Sequence, residues 1–236
     1  MVRPRFTFVS DRLNRTAIAS LLAALEDIVE DPHADLRVVR STEVERIDFR
    51  PSSPASEILC LSTMTVNAGA TLDLHGSLRR RWGSAFVSVC GGAHASGAPE
   101  HLLEAGIDYC CPGEGEEVVR AIYRRAAEGG SPAGVDGLAH MESGGIRGKR
   151  AACLVDIGAE KALPELVRFP TYIEISRGCR WLCAYCQTPQ IHGVRERYRD
   201  PIQVEEIVRR YAAFGMRDFR FLLPNTLGYM SEKPGV

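Results

Sequence analysis

Hydrophobic positions in the first 130 residues follow two alternating periods. Short apolar runs at Phe6 to Val9, Leu36 to Arg40, Ile58 to Ser62, Ala85 to Cys90 and Ile107 to Cys110 predict five strands. Between them the apolar positions recur at helical spacing. Asn14 to Glu30 carries Ile18, Leu21, Leu22, Leu25, Ile28 and Val29 on one face, and Ala70 to Trp82, Pro99 to Ala105 and Glu114 to Glu128 read as further helices, the last stopped by Gly129-Gly130. Strands alternating with helices imply a parallel sheet covered on both faces. Five of them fit a doubly wound, flavodoxin-like α/β domain over residues 1–130, a fold that binds ligands beyond the carboxyl ends of its strands at the topological switch point.

The pattern then changes. Residues 131–169 are rich in turn formers, with Ser131-Pro132, Ser143-Gly144-Gly145 and Pro164 separating brief apolar runs, so they read as a linker with a small hairpin. A second unit occupies 170–236. Tyr172 to Ser176 reads as a strand and a cysteine-bearing loop follows it. Pro201 to Phe214 is a helix with proline in its first turn and Val204, Ile207, Val208 and Tyr211 on its apolar face, and Phe219 to Leu223 is a further strand before the stretch Met230 to Val236. One βαβ unit cannot bury both faces of a parallel sheet by itself, so this unit is expected to be the start of a larger domain.

Composition adds exclusions. With 45% hydrophobic and 25% charged residues the 236-residue chain has the profile of a folded globular protein. A formal charge of −1 indicates no global attraction to nucleic acid or anionic membrane. Only Lys149, Lys161 and Lys233 are lysine; the other basic residues are arginine, which with so much alanine reads as genomic base composition. No apolar stretch reaches bilayer-spanning length, and Met1 to Arg5 leads straight into a strand without a signal-peptide pattern. A cytoplasmic location follows as the expectation. There thiols stay reduced, so the eight cysteines are more readily packing residues or metal ligands than disulfides.

Three of them carry chemistry. Cys179, Cys183 and Cys186 form C-x3-C-x2-C directly after a strand, and Gly178 lets the backbone turn sharply into the loop. Three thiolates on one loop can converge on one metal centre. A four-iron cluster used for electron transfer takes four protein thiolates; three leave one iron open to a substrate or cofactor. The rival is a structural zinc site completed by His192, although such sites usually draw paired ligands from two separate knuckles.

With Tyr185 just before the last cysteine, this loop resembles that of the radical S-adenosylmethionine superfamily. The resemblance implies a [4Fe-4S] cluster on the three cysteines, its fourth iron chelated by S-adenosylmethionine, and reductive cleavage of that cofactor to a hydrogen-abstracting 5′-deoxyadenosyl radical. It implies further that Tyr185 lies near the adenine, that the Arg195 to Pro201 segment leads into the first barrel helix, and that a reductant such as ferredoxin or flavodoxin supplies the electron. The plain reading of those arginines is a solvated loop. The superfamily barrel has about six β/α units, of which this chain carries the first one and a half. Its second barrel strand ends in Pro224-Asn225-Thr226 where relatives show an acidic residue, and Asn225 is expected to hydrogen-bond S-adenosylmethionine in its place.

The N-terminal strand ends form a second constellation. Gly91-Gly92-Ala93-His94 follows one strand, Gly113-Glu114-Gly115-Glu116 follows another, and Ser62-Thr63-Met64-Thr65 follows a third. Glycines and small hydroxyls at neighbouring carboxyl ends leave room for a large flat ligand and offer it backbone N–H groups. In this order, with G-G-x-H…P-E and G-E-G-E, the domain resembles the cobalamin-binding domain that precedes the barrel in many radical S-adenosylmethionine enzymes. The resemblance implies cobalamin held at Ser62, Thr65, Gly91, Gly92, His94 and Gly113, although His94 has an equal alternative in capping the following helix. The loop Ser10 to Asn14 lacks the D-x-H-x-x-G motif that supplies a histidine to cobalt, and Asp73-Leu74-His75-Gly76 lies on a predicted helix elsewhere. Cobalamin is therefore expected to bind without a protein histidine on the metal.

The function expected from both resemblances is methyl transfer or another C–H activation on a substrate that the sequence does not reveal. A methylthiotransferase-like enzyme is the near alternative: it needs a second cluster, for which only Cys60, Cys90 and Cys110, at three strand ends, offer themselves. A non-catalytic module with a Cys3His zinc site is the distant one.

Overall fold

The structure is a computed structural model that describes residues 2–52, 56–148, 154–161, 163–165 and 171–229. The boundary expected at 169–170 and the stretch Met230 to Val236 lie outside the described residues. Five parallel strands form the N-terminal sheet: β1 (Arg5–Ser10), β2 (Leu36–Arg40), β3 (Glu57–Ser62), β4 (Val87–Gly91) and β5 (Tyr109–Cys110), in the order β2-β1-β3-β4-β5. This is the doubly wound order with its switch point between β1 and β3.

The sheet is apolar on both sides because helices cover both. On one face α1 (Arg15–Glu26) and α6 (Glu116–Ala127) bring Ile18, Leu22, Leu25, Val118, Val119 and Ile122 against Phe6, Phe8, Ile58, Cys60 and Val89. On the other, Leu78 of α3 (Ala68–Trp82) and Leu102 and Leu103 of α5 (Pro99–Glu104) pack on Val9, Leu59, Leu61, Cys90 and Cys110. Two short helices had no periodic signal: α2 (Pro32–Asp35), capped by the Asp31 carboxylate, and α4 (Ala93–Gly97).

Two expected elements are shorter than their apolar runs. The first helix ends at Glu26, four residues early, yet Val29 remains buried in the core. The last strand begins at Tyr109 because the Asp108 carboxylate accepts the Ser88 backbone N–H at 2.7 Å and takes the place of a ladder bond. The outer side of β5 is bridged by Ala139, and β6 (His140–Glu142) and β7 (Gly145–Arg147) make the expected hairpin.

In the second unit β8 (Ile173–Glu174) pairs in parallel with β11 (Phe221–Leu222), and α8 (Pro201–Ala213) joins them. Asp200 caps α8: its carboxylate accepts from Ile202 N, and Gln203 returns a bond to Asp200 N. Ile173, Ile175, Ile207, Tyr211 and Leu163 form the core between sheet and helix. The strand expected over Tyr172 to Ser176 breaks at Ile175, where the chain changes partners: β9 (Ser176–Arg177) pairs antiparallel with β10 (Arg197–Tyr198). The connecting segment is not a free tether. Val155 and Ile157 are buried, and the Arg199 guanidinium donates to the carbonyls of Ile157, Glu160 and Glu174. Among the described residues no helix is long and apolar enough to cross a membrane.

Candidate functional site

A cavity of about 230 Å³ opens where the carboxyl ends of β3 and β4 meet α1 and α6. Ser62, Gly91, Gly92, Gly113 and Gly115 form its polar rim, and Ala17, Leu21, Val89, Val118 and Val119 make it apolar within. Gly92 keeps the rim bare. Its φ is +96°, and a Cβ there would stand 2.6 Å from the Thr63 carbonyl oxygen and 2.9 Å from the Thr63 nitrogen. At Gly115 a Cβ would press on Leu21 at 3.1 Å. The chain thus spends glycine where a side chain would fill the cavity or collide with backbone. An apolar slot with a backbone rim suits a flat ring or one arm of a larger ligand.

Four residues expected at this ligand site, Ser62, Gly91, Gly92 and Gly113, line the cavity. Thr65 and His94 are joined to each other instead, Thr65 Oγ1 to His94 Nδ1 at 3.1 Å, and His94 Nε2 meets His101 Nδ1 at 2.9 Å. His94 lies inside α4, and the following helix α5 has Ala98 at its N-cap with no side-chain cap. The loop after β1 is a self-bonded turn in which Asp11 Oδ1 accepts from Leu13 N and Asn14 N, and it offers no histidine to a metal. His75 is buried on α3 against Ser88 Oγ at 3.1 Å.

The glutamates of Gly113-Glu114-Gly115-Glu116 face the second unit. Glu114, with only 2% of its side chain exposed, accepts from Arg197 Nη2 at 2.7 Å, His192 Nδ1 at 2.9 Å and Val155 N at 2.7 Å. Glu116 accepts from Arg177 Nη2 at 2.6 Å, and the same guanidinium takes Glu174 at 2.8 Å. Arg197 and Arg199 are therefore structural ties and not a solvated loop, whereas Arg195 is exposed. Burial raises the Glu114 pKa, but the bonds from His192 and Arg197, the charge of Arg177 and the Val155 N–H outweigh it and hold the carboxyl well below the usual carboxylate range.

A carboxyl with a depressed folded pKa contributes stability above its unfolded pKa and loses it as pH falls toward the folded value. The tie should be complete at neutral pH and weaken progressively below its ordinary value of 4.5. Urea midpoints measured from pH 7 down to pH 3 should fall, and Glu114→Gln should flatten that slope; an unchanged slope in the variant would show that Glu114 does not carry it.

The cysteine loop leaves β9 through Gly178, whose φ is +82° and whose Cβ position is occupied by the Arg195 carbonyl. Cys179 is buried, its N–H donating to Gly193 O at 3.1 Å; Cys183 is exposed and Cys186 half-buried, linked by a turn in which Cys186 N donates to Cys183 O at 3.0 Å. The hydroxyl and backbone N–H of Thr188, the first residue of α7 (Thr188–His192), hold the Cys186 thiol below its usual pKa. Tyr185 is 91% exposed beside Cys183, and Asn225 is half-buried ahead of the turn Thr226–Gly228. Among the described residues no three His, Cys, Asp or Glu side chains converge on one point to hold a single ion. A cubane makes no such demand, since each of its ligands bonds a different iron. Three thiols on one loop, one favouring the thiolate, fit that donor set.

Cys60, Cys90 and Cys110 are buried packing residues. Cys60 faces the α1 and α6 side of the sheet, while Cys90 and Cys110 face the other. They cannot meet at a second cluster. Burial pushes all three thiols up, Cys110 to about 12, which keeps them protonated.

Residues 17–123 match the family described as B12 binding domain. The N-terminal domain has the B12-binding fold. Solved structures extend the likeness beyond this B12-binding-fold domain. One is the radical S-adenosylmethionine methyltransferase TsrM from Kitasatospora setae with cobalamin and a [4Fe-4S] cluster bound; it overlays with a TM-score of 0.71 at 20% identity over 94% of this chain and 47% of its own. Another is the cobalamin-dependent S-adenosylmethionine radical enzyme OxsB with aqua-cobalamin bound, at 0.66 and 19% over 90% and 32%. At such identities the likeness is one of fold. The chain thus spans less than half the length of TsrM and about a third of OxsB. No curated protein matches the sequence.

Glu114, Glu116, Arg177 and His192 escaped sequence reasoning as a set. The G-E-G-E run was legible as a glycine turn, but nothing in its spacing tells that its acids pair with arginines more than 60 residues away.

Proposed function

We propose that the chain binds cobalamin at the carboxyl edge of its B12-binding-fold domain and carries a [4Fe-4S] cluster on Cys179, Cys183 and Cys186 that takes S-adenosylmethionine. The observation that carries this is the bare glycine cavity walled partly by the cysteine-loop unit: Arg177, Ile191 and His192 line it together with Gly91, Gly92 and Gly113. Bound together, these groups supply reductive cleavage of S-adenosylmethionine and methyl transfer or other C–H activation.

The chain's own residues have separable tasks. Gly92 and Gly113 keep the strand ends open, and Leu21, Val118 and Val119 offer an apolar slot to the ligand's flat arm. Gly178 turns the backbone into the cysteine loop. Thr188 favours the thiolate of Cys186, which is the form that binds iron. Asn225, at the carboxyl end of β11, offers an amide to S-adenosylmethionine. A cytoplasmic location and an electron donor such as ferredoxin or flavodoxin belong to the same proposal.

The test is anaerobic iron–sulfide reconstitution and incubation with cobalamin, followed by iron, sulfide, zinc and cobalt analysis of one sample. The expected result is about four irons and four sulfides per chain with cobalt retained, and near-complete loss of iron in the Cys179/Cys183/Cys186 triple alanine variant. About one zinc per chain without labile sulfide would overturn the cluster.

A further inference from the structure

The cavity that receives the ligand does not belong to the N-terminal domain alone. Its lining includes Ile191 and His192 of α7, the helix that directly follows the cysteine loop, and Arg177 of β9, which directly precedes Gly178. These residues reach the cavity because the Gly113–Glu116 loop holds them there: Glu114 binds His192 and Arg197, and Glu116 binds Arg177. Gln187 adds a weaker tie across the same seam, its Nε2 donating to Ala93 O at 3.4 Å. One loop thus contributes two of the rim glycines, Gly113 and Gly115, and both anchors of the far wall.

We propose that Ile191 and His192 are ligand-site residues that close this cavity, and that Glu114 and Glu116 are the latch that keeps them in place. Releasing the latch swings the wall away, opens the apolar slot to solvent and admits or frees the ligand's arm. The latch is built for two states. Its buried charges satisfy one another when the seam is closed, and water can solvate them once the seam opens. This deepens the cofactor reading and rests on the cavity being the cofactor's slot, but the wall itself is tested without any cofactor.

The cavity carries its own reporters. Cys60 and Cys111 line it and are 7% and 6% exposed, whereas Cys90 and Cys110 are fully buried on the opposite face of the same sheet. Burial raises the thiol pKa of Cys111 to about 12, so neither lining cysteine is expected to react while the wall is closed. The experiment is native-state alkylation of the full chain with iodoacetamide, followed peptide by peptide by mass spectrometry, for wild type, Glu114→Ala/Glu116→Gln and His192→Ala. The expected result is alkylation of Cys60 and Cys111 on the order of tenfold faster or more in both variants, with Cys90 and Cys110 as slow as in wild type. His192→Ala removes one wall residue and leaves Glu116 with Arg177, so it answers the question even where the double variant folds poorly. Unchanged labelling of Cys60 and Cys111 would overturn the proposal, and so would an equal rise at Cys90 and Cys110, which would mean loosening of the whole domain. Release of bound hydroxocobalamin, timed in parallel, should quicken by a similar factor. A wild-type chain that retains no cobalamin would defeat the cofactor reading, while the labelling still decides whether the wall moves.

Discussion

Arg177→Ala is expected to cost about 3–5 kcal/mol, a large part of the stability of a domain of this size. The Arg177 side chain is 7% exposed and stands among three carboxylates, 2.6 Å from Glu116, 2.8 Å from Glu174 and 3.7 Å from Glu114. Burial disfavours its charge, but Glu116 and Glu174 more than restore it and hold its proton well above the usual arginine range. Truncation removes the only partner that Glu116 shares with Glu174 in these bonds and leaves buried anions facing one another. Equilibrium urea unfolding should show the midpoint falling, and hydrogen exchange should rise first across residues 173–198 and the Gly113–Glu116 loop. A loss below about 1 kcal/mol would mean that the seam is solvated and the pairs are worth no more than surface ones.

The same residues show how far the sequence could be read. The doubly wound sheet was legible because strands buried on both faces leave continuous apolar runs: Phe6 to Val9 and Ile58 to Ser62 fall within β1 and β3. The glycine turns at the strand ends were legible as turns, and Gly91, Gly92 and Gly113 line the cavity. Thr65 and His94, read at the same strand ends, do not line this cavity; the His94 ring turns to Thr65 and His101. The seam was invisible. Glu114 and Arg197 are 83 positions apart on different units, and ion pairs at that range leave no local pattern. The partner change at Ile175 was hidden for a similar reason, since hydrogen bonding to β11 and then to β10 is settled by tertiary neighbours and not by the strand's own residues.

Gly92→Val carries the second large effect. A β-branched residue at φ +96° is strained, and its Cβ alone would stand 2.6 Å from the Thr63 carbonyl oxygen, within backbone that cannot yield cheaply. Strain and overpacking together should destabilise the domain by roughly 2–5 kcal/mol, read as a lowered thermal midpoint. The added methyl groups also crowd the rim between Ser62 and Gly113, so whatever folds should have lost the slot. Gly69, which has nothing within 4 Å of its Cβ position and lies on α3, is the matched control; Gly69→Ala should be neutral or mildly stabilising.

Whether the B12-binding-fold domain holds cobalamin in the glycine-rimmed cavity is decided by equilibrium dialysis of hydroxocobalamin against the full chain. The expected result is saturable binding of one cobalamin per chain at micromolar affinity or better, an absorption spectrum without a protein nitrogen on cobalt, and binding weakened on the order of a hundredfold in Gly92→Val. A wild-type chain that fails to retain cobalamin, or a folded Gly92→Val variant that binds it equally well, would contradict it.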